Sequence, residues 1–490
     1  MRSSGVLMHL SSLPSPYGIG TMGKQAKQFV DFLEKAGQTY WQMLPICPTS
    51  YGDSPYQSPS GFAGNPYFID LDILCTKKLL KKSECKSYQW NEKDDTVDYA
   101  LLYKNRYDLL RKAKVRFFEN VPQEYGQFCE KEADWLDDFA LFMALKEAHN
   151  GAQWERPLKF REAEAIAKAK DTYADEIDFW KMLQYLFFEQ WCELKNYANE
   201  RGIRIIGDVP IYVAGDSVDV WTNPSQFYLD ENLEPIDVAG CPPDAFSADG
   251  QLWGNPLFRW DVMREDGYSW WTMRLRKMST LYDVIRIDHF RGFDSYYAIP
   301  GKDTTARNGV WRNGPGMELF RAVEEKLGKP DIIVEDLGFL TPSVLQLVAD
   351  SGYPGMKVVQ FAFDSRDDSD YMPHNYDKHC VVYTGTHDND TILGWMKQAP
   401  KNSVKKAKEY LRMTKEEGYN WGMMCGAWMS SANLAVVTMQ DLIGLGSSAR
   451  MNVPSTLGGN WTWRALPGQI NAPLANKLHH KTELYGRLRR

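Results

Sequence analysis

The sequence predicts a (β/α)8 barrel, and three observations carry that expectation. Eight short, nearly continuous apolar runs recur along the 490 residues, the pattern of parallel strands buried on both faces. Amphipathic helical stretches fall between most of them, as a barrel of alternating strands and helices requires. Three of the runs lead to a carboxylate: Val284-Ile-Arg-Ile-Asp288, Ile332-Ile-Val-Glu335-Asp336 and Val381-Val-Tyr-Thr-Gly-Thr-His387-Asp388. Acids delivered there stand where βα loops leave a barrel and active sites are built.

In chain order the strands are expected at residues 5–10, 40–46, 203–213, 284–290, 332–337, 356–363, 381–386 and 434–445. The last is long, and its Met-Gln-Asp middle runs towards a helix. Helices are expected at 24–36, 176–200, 270–282, 317–327 (after a Gly-Pro-Gly turn), 342–351 and 403–413. Two intervals far exceed the usual βα loop of about 2–6 residues. One, at 47–175, is mainly helical in pattern and reads as an insertion subdomain after strand two. The other, at 214–259, is rich in Pro and Gly, carries Trp221, Phe246 and Trp253, and reads as a lid after strand three. Both are expected to be mainly helical additions that roof one catalytic barrel spanning 1–490. About 45 residues follow the eighth run, too few for an appended β-sandwich, which takes about 100.

Composition removes several function classes. With 57 Lys+Arg against 64 Asp+Glu the net charge is −7, so no general affinity for nucleic acid is expected. No apolar run approaches a membrane span, and the six-residue stretch after Met1-Arg-Ser-Ser is too short for a secretory leader. A cytoplasmic location is expected, in which the sequons at Asn389 and Asn460 carry nothing. Eight scattered cysteines without a CxxC give neither a disulfide framework nor a zinc site. The chain has no P-loop, HExxH or GxSxG. Gly18-Ile-Gly-Thr-Met-Gly23 matches GxGxxG, but Ser-Ser-Leu-Pro-Ser-Pro-Tyr separates it from the first strand, and strand two ends Leu-Pro-Ile without the acid a dinucleotide site needs. No metal or organic cofactor is implied. Aromatics make up 13% of the chain, enough for a large core and for rings lining a sugar groove.

A lone Asp at a strand end is more often a helix cap than a catalyst. Three with specific companions are harder to dismiss. Arg286, two residues before Asp288, points to the same side of its strand. A guanidinium there keeps a carboxylate ionised and oriented, as a nucleophile requires; a purely structural ion pair would look the same. Of Glu335 and Asp336 one faces the pore and the other packs outward or caps a helix, and apolar neighbours and the nearby carboxylates would raise the acid's pKa. Asp208, in Ile-Gly-Asp-Val-Pro-Ile-Tyr-Val, is either a structural partner of Arg286 or a binding group. His289 and His387 flank the acidic strand ends, and hydrogen bonding to sugar hydroxyls suits them. A nucleophilic carboxylate, a protonated acid and a third carboxylate are the equipment for breaking a glycosidic bond.

These residues reach a family. Arg286-Ile-Asp288-His, Glu335-Asp-Leu-Gly and Thr386-His-Asp388-Asn resemble three short regions of the α-amylase clan. Gly207-Asp-Val-Pro-Ile-Tyr-Val-Ala-Gly-Asp216-Ser resembles the fourth. Ser11-Ser-Leu-Pro-Ser-Pro-Tyr-Gly-Ile-Gly, Tyr51-Gly-Asp-Ser-Pro-Tyr-Gln-Ser, Gly64-Asn-Pro-Tyr, Gln251-Leu-Trp-Gly-Asn-Pro-Leu and Arg450-Met-Asn-Val-Pro-Ser-Thr-Leu-Gly-Gly-Asn-Trp are similar to glycoside hydrolase family 77, the 4-α-glucanotransferases. The resemblance covers residues 5 to 465. It implies retention, with Asp288 as nucleophile, Glu335 as acid and then base, and Asp388 gripping the sugar at the scissile bond. It also implies α-1,4-glucan and maltooligosaccharide donors and acceptors, with glucose among them. Tyr56, Arg286, His289, His387, Asp208, Phe246, Trp253, Asn452 and Asn460 would bind sugar. Two departures stand out. Ala245 precedes Phe246 where relatives often carry an aromatic, and Pro59 replaces a residue more often aromatic, which would alter the groove locally. The rival readings are a hydrolase of the same clan, with water as acceptor, and a non-catalytic glucan-binding barrel.

Overall fold

The computed structural model describes residues 2–50, 52–151, 154–243, 247–338, 340–363 and 369–489. Among them are twelve strands, numbered here in chain order: β1 Ser3–Leu7, β2 Tyr40–Gln42, β3 Arg204–Pro210, β4 Asp237–Cys241, β5 Gln251–Pro256, β6 Val284–Asp288, β7 Ser295–Pro300, β8 Val310–Asn313, β9 Ile332–Val334, β10 Gly355–Val358, β11 Cys380–Tyr383 and β12 Leu434–Thr438. Eight of these form one all-parallel sheet in the order β10-β11-β12-β1-β2-β3-β6-β9. They are the eight apolar runs of the sequence, and the chain is a (β/α)8 barrel.

Most strands stop before their apolar runs do. Met43, Leu44 and Ile46 stay buried beyond the short β2, because the interior needs their side chains after the backbone has left the ladder. The eighth run divides at Thr438. Its hydroxyl accepts the Asp441 N–H and starts a helix over Met439–Ile443, so the polar middle noted above is helical.

The seam between β9 and β10 closes without a regular ladder. Val334 N–H donates to Pro354 O at 3.0 Å. Where the next bond should fall, the Asp336 side chain stands in, its Oδ1 accepting Met356 N–H at 2.6 Å. The carboxylate passes so close to the backbone that a Cβ on residue 355 would lie 2.4 Å from Oδ2, so Gly355 is required there. This settles the Glu335/Asp336 pair: Asp336 belongs to the barrel wall. At the opposite end of the strands Arg487, fully buried, donates to the carbonyls of Trp428, Ser3, Asn433 and Ser430 and ties the C-terminal segment across the barrel.

The interval after β2 is helical, with Tyr99–Glu119 and Ala133–Ala148 packed on the long Ala174–Glu200 helix that leads into β3. The interval after β3 departs from the expected mainly helical insertion. It holds a short helix, Val218–Thr222, and then β4 and β5, which join β7 and β8 in a four-stranded antiparallel sheet of order β5-β4-β7-β8. The lid is thus paired with the segment that follows β6. The sequence hides this because Pro242, Pro243 and Gly250 break the β4–β5 region into turn-like pieces, and β7, which pairs with β4, comes more than fifty residues later.

Replacing the Asp336 carboxylate leaves a buried Met356 N–H without an acceptor, at a cost of about 1–3 kcal/mol. Asp336→Leu is expected to lower the thermal unfolding midpoint, whereas Asp336→Asn, which keeps an acceptor oxygen, is expected to lower it less. Calorimetry on the two variants checks the ordering.

Candidate active site

The register of β3 against β6 sets the site's foundation. Asp208 stands opposite Arg286, and Pro210 opposite Asp288. Arg286 Nη1 reaches both oxygens of Asp208 at 2.6 Å and Asp288 Oδ1 at 3.0 Å. The side chains of Arg286 and Asp208 are 4% and 0% exposed, while Asp288 is 29% exposed. Burial opposes the guanidinium's charge, but Asp208 and then Asp288 outweigh it and hold Arg286 well above its ordinary value. The sequence left Asp208 open between a structural and a binding role and placed Arg286 among sugar-binding residues. In the structure both lie behind the cleft wall, and Asp288 alone of the three lines the cleft.

Glu335 follows β9 directly. His289, in the left-handed conformation with φ 53°, turns the chain after Asp288 so that its N–H meets Glu335 Oε2 at 2.8 Å. Leu337 N–H binds Oε1 at 2.7 Å. A non-glycine residue held in that conformation is strained, and such strain gathers at functional sites. Burial first, and then the neighbouring charge of Asp288, push the Glu335 carboxyl up to about 8, against the pull of Arg286 and the two N–H groups. The carboxyl therefore carries its proton at neutral pH. The His289 ring packs edge-on against Trp253 with centroids 4.8 Å apart. Burial, with help from Arg291, lowers it to about 3, so the imidazole is neutral.

Asp388 lies five residues beyond the end of β11, on a turn held by Thr386 N–H donating to Asn389 Oδ1 at 2.8 Å. Its Oδ1 accepts Asn452 Nδ2 at 2.7 Å and lies 3.3 Å from His387 Nε2. His387 stacks on Tyr56 at 5.0 Å, and the Tyr56 hydroxyl donates to Asp208 Oδ2 at 2.8 Å. One chain of contacts thus runs from Asp388 through His387, Tyr56 and Asp208 to Arg286 and Asp288.

Asp288, His289, His387, Asp388, Tyr56, Trp253 and Asn452 line a cleft of about 590 Å³. Asn460 does not. Its side chain accepts from Val453 N–H and donates to Thr456, bracing its own loop. Pro59 is likewise away from the cleft: it is buried, and its carbonyl accepts the Val218 N–H. Phe246 and Ala245 lie outside the described residues. Residues not singled out from sequence also belong here. Trp461 walls the cleft and packs against Tyr56 and His387. Gln57 fixes the lid by donating to Asn255 Oδ1 at 3.0 Å. Arg450 donates to the carbonyls of Asp388 and Asn452. Trp461 and Arg450 sit at the two ends of the 450–461 motif and act by ring packing and backbone contacts, which residue type alone does not signal. Among the described residues no group of three or more His, Cys, Asp or Glu could hold a metal ion, and no helix is long and apolar enough to cross a membrane.

Comparison with known proteins places the chain among relatives of one kind. Residues 8–468 match the family model described as 4-alpha-glucanotransferase. The chain is 50% identical over 485 residues to the 4-alpha-glucanotransferase of Clostridium butyricum, covering 98% of this chain and all of that protein. It is 47% identical over 501 residues to the 4-alpha-glucanotransferase of Thermus thermophilus, covering 99% of each. The amylomaltase of Streptococcus agalactiae, solved in complex with acarbose, matches with a TM-score of 0.98 and 40% identity over the whole of both chains.

Because the charge of Asp288 helps to keep Glu335 protonated, Asp288→Asn is expected to lower the Glu335 pKa. Carboxyl-labelled NMR on the wild type and the variant checks it. Titration near 8 in the first and clearly lower in the second is expected; an unmoved value would show that the two carboxyls do not sense each other.

Proposed function

The chain belongs to glycoside hydrolase family 77, the 4-alpha-glucanotransferases, and transfers α-glucan segments; we propose that it does so by retaining double displacement through a covalent glucosyl-enzyme. The Asp288 carboxylate attacks the anomeric carbon, and the bond to the leaving 4-oxygen breaks as Glu335 gives that oxygen its proton. The 4-hydroxyl of an incoming α-1,4-glucan, maltooligosaccharide or glucose then returns a proton to Glu335, attacks the same carbon and frees Asp288. Two inversions restore the original linkage and both carboxyl groups.

The observation that carries this reading is the contrast between the two carboxyls at the ends of neighbouring strands. Asp288 is ion-paired to Arg286 and open to the cleft, while Glu335 is held protonated. Retention wants two such groups about 5–5.5 Å apart. Asp388 grips the sugar at the cleavage point, with Asn452 and His387 fixing its direction and His289 offering its ring at the wall. The transfer reading, over hydrolysis, is supported by the roof. Leu252 and Trp253 of β5, Leu457 and Trp461 give the cleft apolar walls from two loops, which hold an acceptor sugar and limit water. We assign the lid at 214–259 a part in holding the acceptor on this ground, while the insertion at 47–175 supplies Tyr56 to the same cleft. The acarbose bound to the Streptococcus agalactiae relative fits a site that takes α-linked glucose units.

Incubation with maltotriose tests the reading. A ladder of longer glucans with glucose released is expected; simple shortening would mean hydrolysis, and no change would mean binding alone. Within that assay Trp253→Ala removes a ring contact worth on the order of 1 kcal/mol. It is expected to lower the ratio of longer glucans to new reducing ends, and an unchanged ratio would remove the lid from acceptor selection.

A further inference from the structure

We infer that Arg450 is a positioning residue for Asp388, acting by clamping the loops after β11 and β12 into one rigid unit; this rests on Asp388 being the carboxylate that grips the sugar. Asp388 has no support from a strand of its own, since it lies five residues past the end of β11. Thr386 and Asn389 brace its turn from within the loop, and the remaining contacts that fix it come from the neighbouring loop. The Arg450 guanidinium donates through Nη2 to the backbone oxygen of Asp388 at 2.5 Å and through Nε to that of Asn452 at 2.8 Å. Asn452 N–H donates to His387 O at 3.0 Å, and Asn452 Nδ2 to Asp388 Oδ1 at 2.7 Å. One planar fork therefore sets the separation between the residue that presents the carboxylate and the residue that orients it.

The choice of partners is informative. Among the described residues no carboxylate lies within ion-pair distance of Arg450. This half-buried arginine gives its donors to two main-chain oxygens instead. Main-chain oxygens cannot change rotamer, so bonds to them fix the backbone itself. A second brace repeats the pattern one step further out. Ser447 Oγ donates to Asp390 Oδ2 at 2.7 Å, again joining the loop after β12 to the loop after β11. Lysine could reach one of the two carbonyls but lacks the fork that holds both. Methionine keeps the length of the stem and loses every donor.

Catalytic groups displaced by about 1 Å lose on the order of 10²-fold in rate, and this sets the scale of the test. Arg450→Met is expected to lower kcat for maltotriose disproportionation by about that factor, with the melting midpoint and KM little changed. Arg450→Lys should fall between Met and the wild type. The decisive comparison is with Asp388→Asn. If Arg450 works through the Asp388 carboxylate, the double variant Asp388→Asn/Arg450→Met should turn over no slower than Asp388→Asn alone. If Asp388→Asn itself keeps wild-type turnover, the assignment of Asp388 fails, and the inference falls with it. If Asp388→Asn loses turnover but Arg450→Met keeps a wild-type kcat, or the two losses multiply in the double variant, Asp388 stands and the clamp is overturned. A fall in melting midpoint with equal loss in both backgrounds would make Arg450 a structural residue only.

Discussion

The active face depends on one buried guanidinium. Arg286 is placed on β6 by a strand register that leaves it opposite Asp208, and its single Nη1 serves both Asp208 and Asp288. A cation in the barrel interior would be costly if unpaired. Here Asp208 supplies the fully buried counter-charge, with Arg286 working against the burial that raises its carboxyl, and Asp288 supplies a second partner from the cleft edge. That division leaves Asp288 oriented by the guanidinium and accessible from the cleft. Removing Asp208 would leave Arg286 with Asp288, the proposed nucleophile, as its one carboxylate partner.

From this pair the rest of the site follows by contact. Asp208 takes the Tyr56 hydroxyl, Tyr56 stacks with His387, and His387 lies against Asp388. On the other side the charge of Asp288 adds to burial in keeping Glu335 protonated, while His289 is strained into a left-handed turn to deliver its N–H to that acid. Of the two carboxyls, Glu335 is the one whose surroundings hold a proton on it, and a raised carboxyl beside a second acid is the usual mark of the acid in glycosidic chemistry.

Much of this was legible in the sequence. Parallel strands buried on both faces cannot alternate polar and apolar residues, so all eight barrel strands stood out as apolar runs, and the i, i+2 spacing of Arg286 and Asp288 placed them on one side. Strand depth was not legible. Nothing in Ile-Gly-Asp-Val-Pro says that Asp208 sits fully behind the wall, because that depends on register with a strand some seventy residues away. Asp336 was undecided for the same reason: its part in closing the seam with Met356 is a cross-strand relation. The four-stranded sheet was missed because its strands are short, broken by Pro and Gly, and paired across a barrel strand. Asn460 looked like a ligand because it sits in a polar motif near the site. The motif instead presents Asn452 and Trp461 and uses Asn460 to hold its own bend.

The central claim is that Asp288 forms the bond to sugar while Glu335 only moves protons. Glu335→Gln exposed to α-glucosyl fluoride, whose leaving group needs little protonation, tests it most directly. Intact and peptide mass spectrometry should then find one glucosyl unit esterified to the peptide carrying Asp288, accumulating because no base remains to activate the acceptor. An adduct on another residue, or fluoride release that continues undiminished in an Asp288→Asn control, would contradict the account.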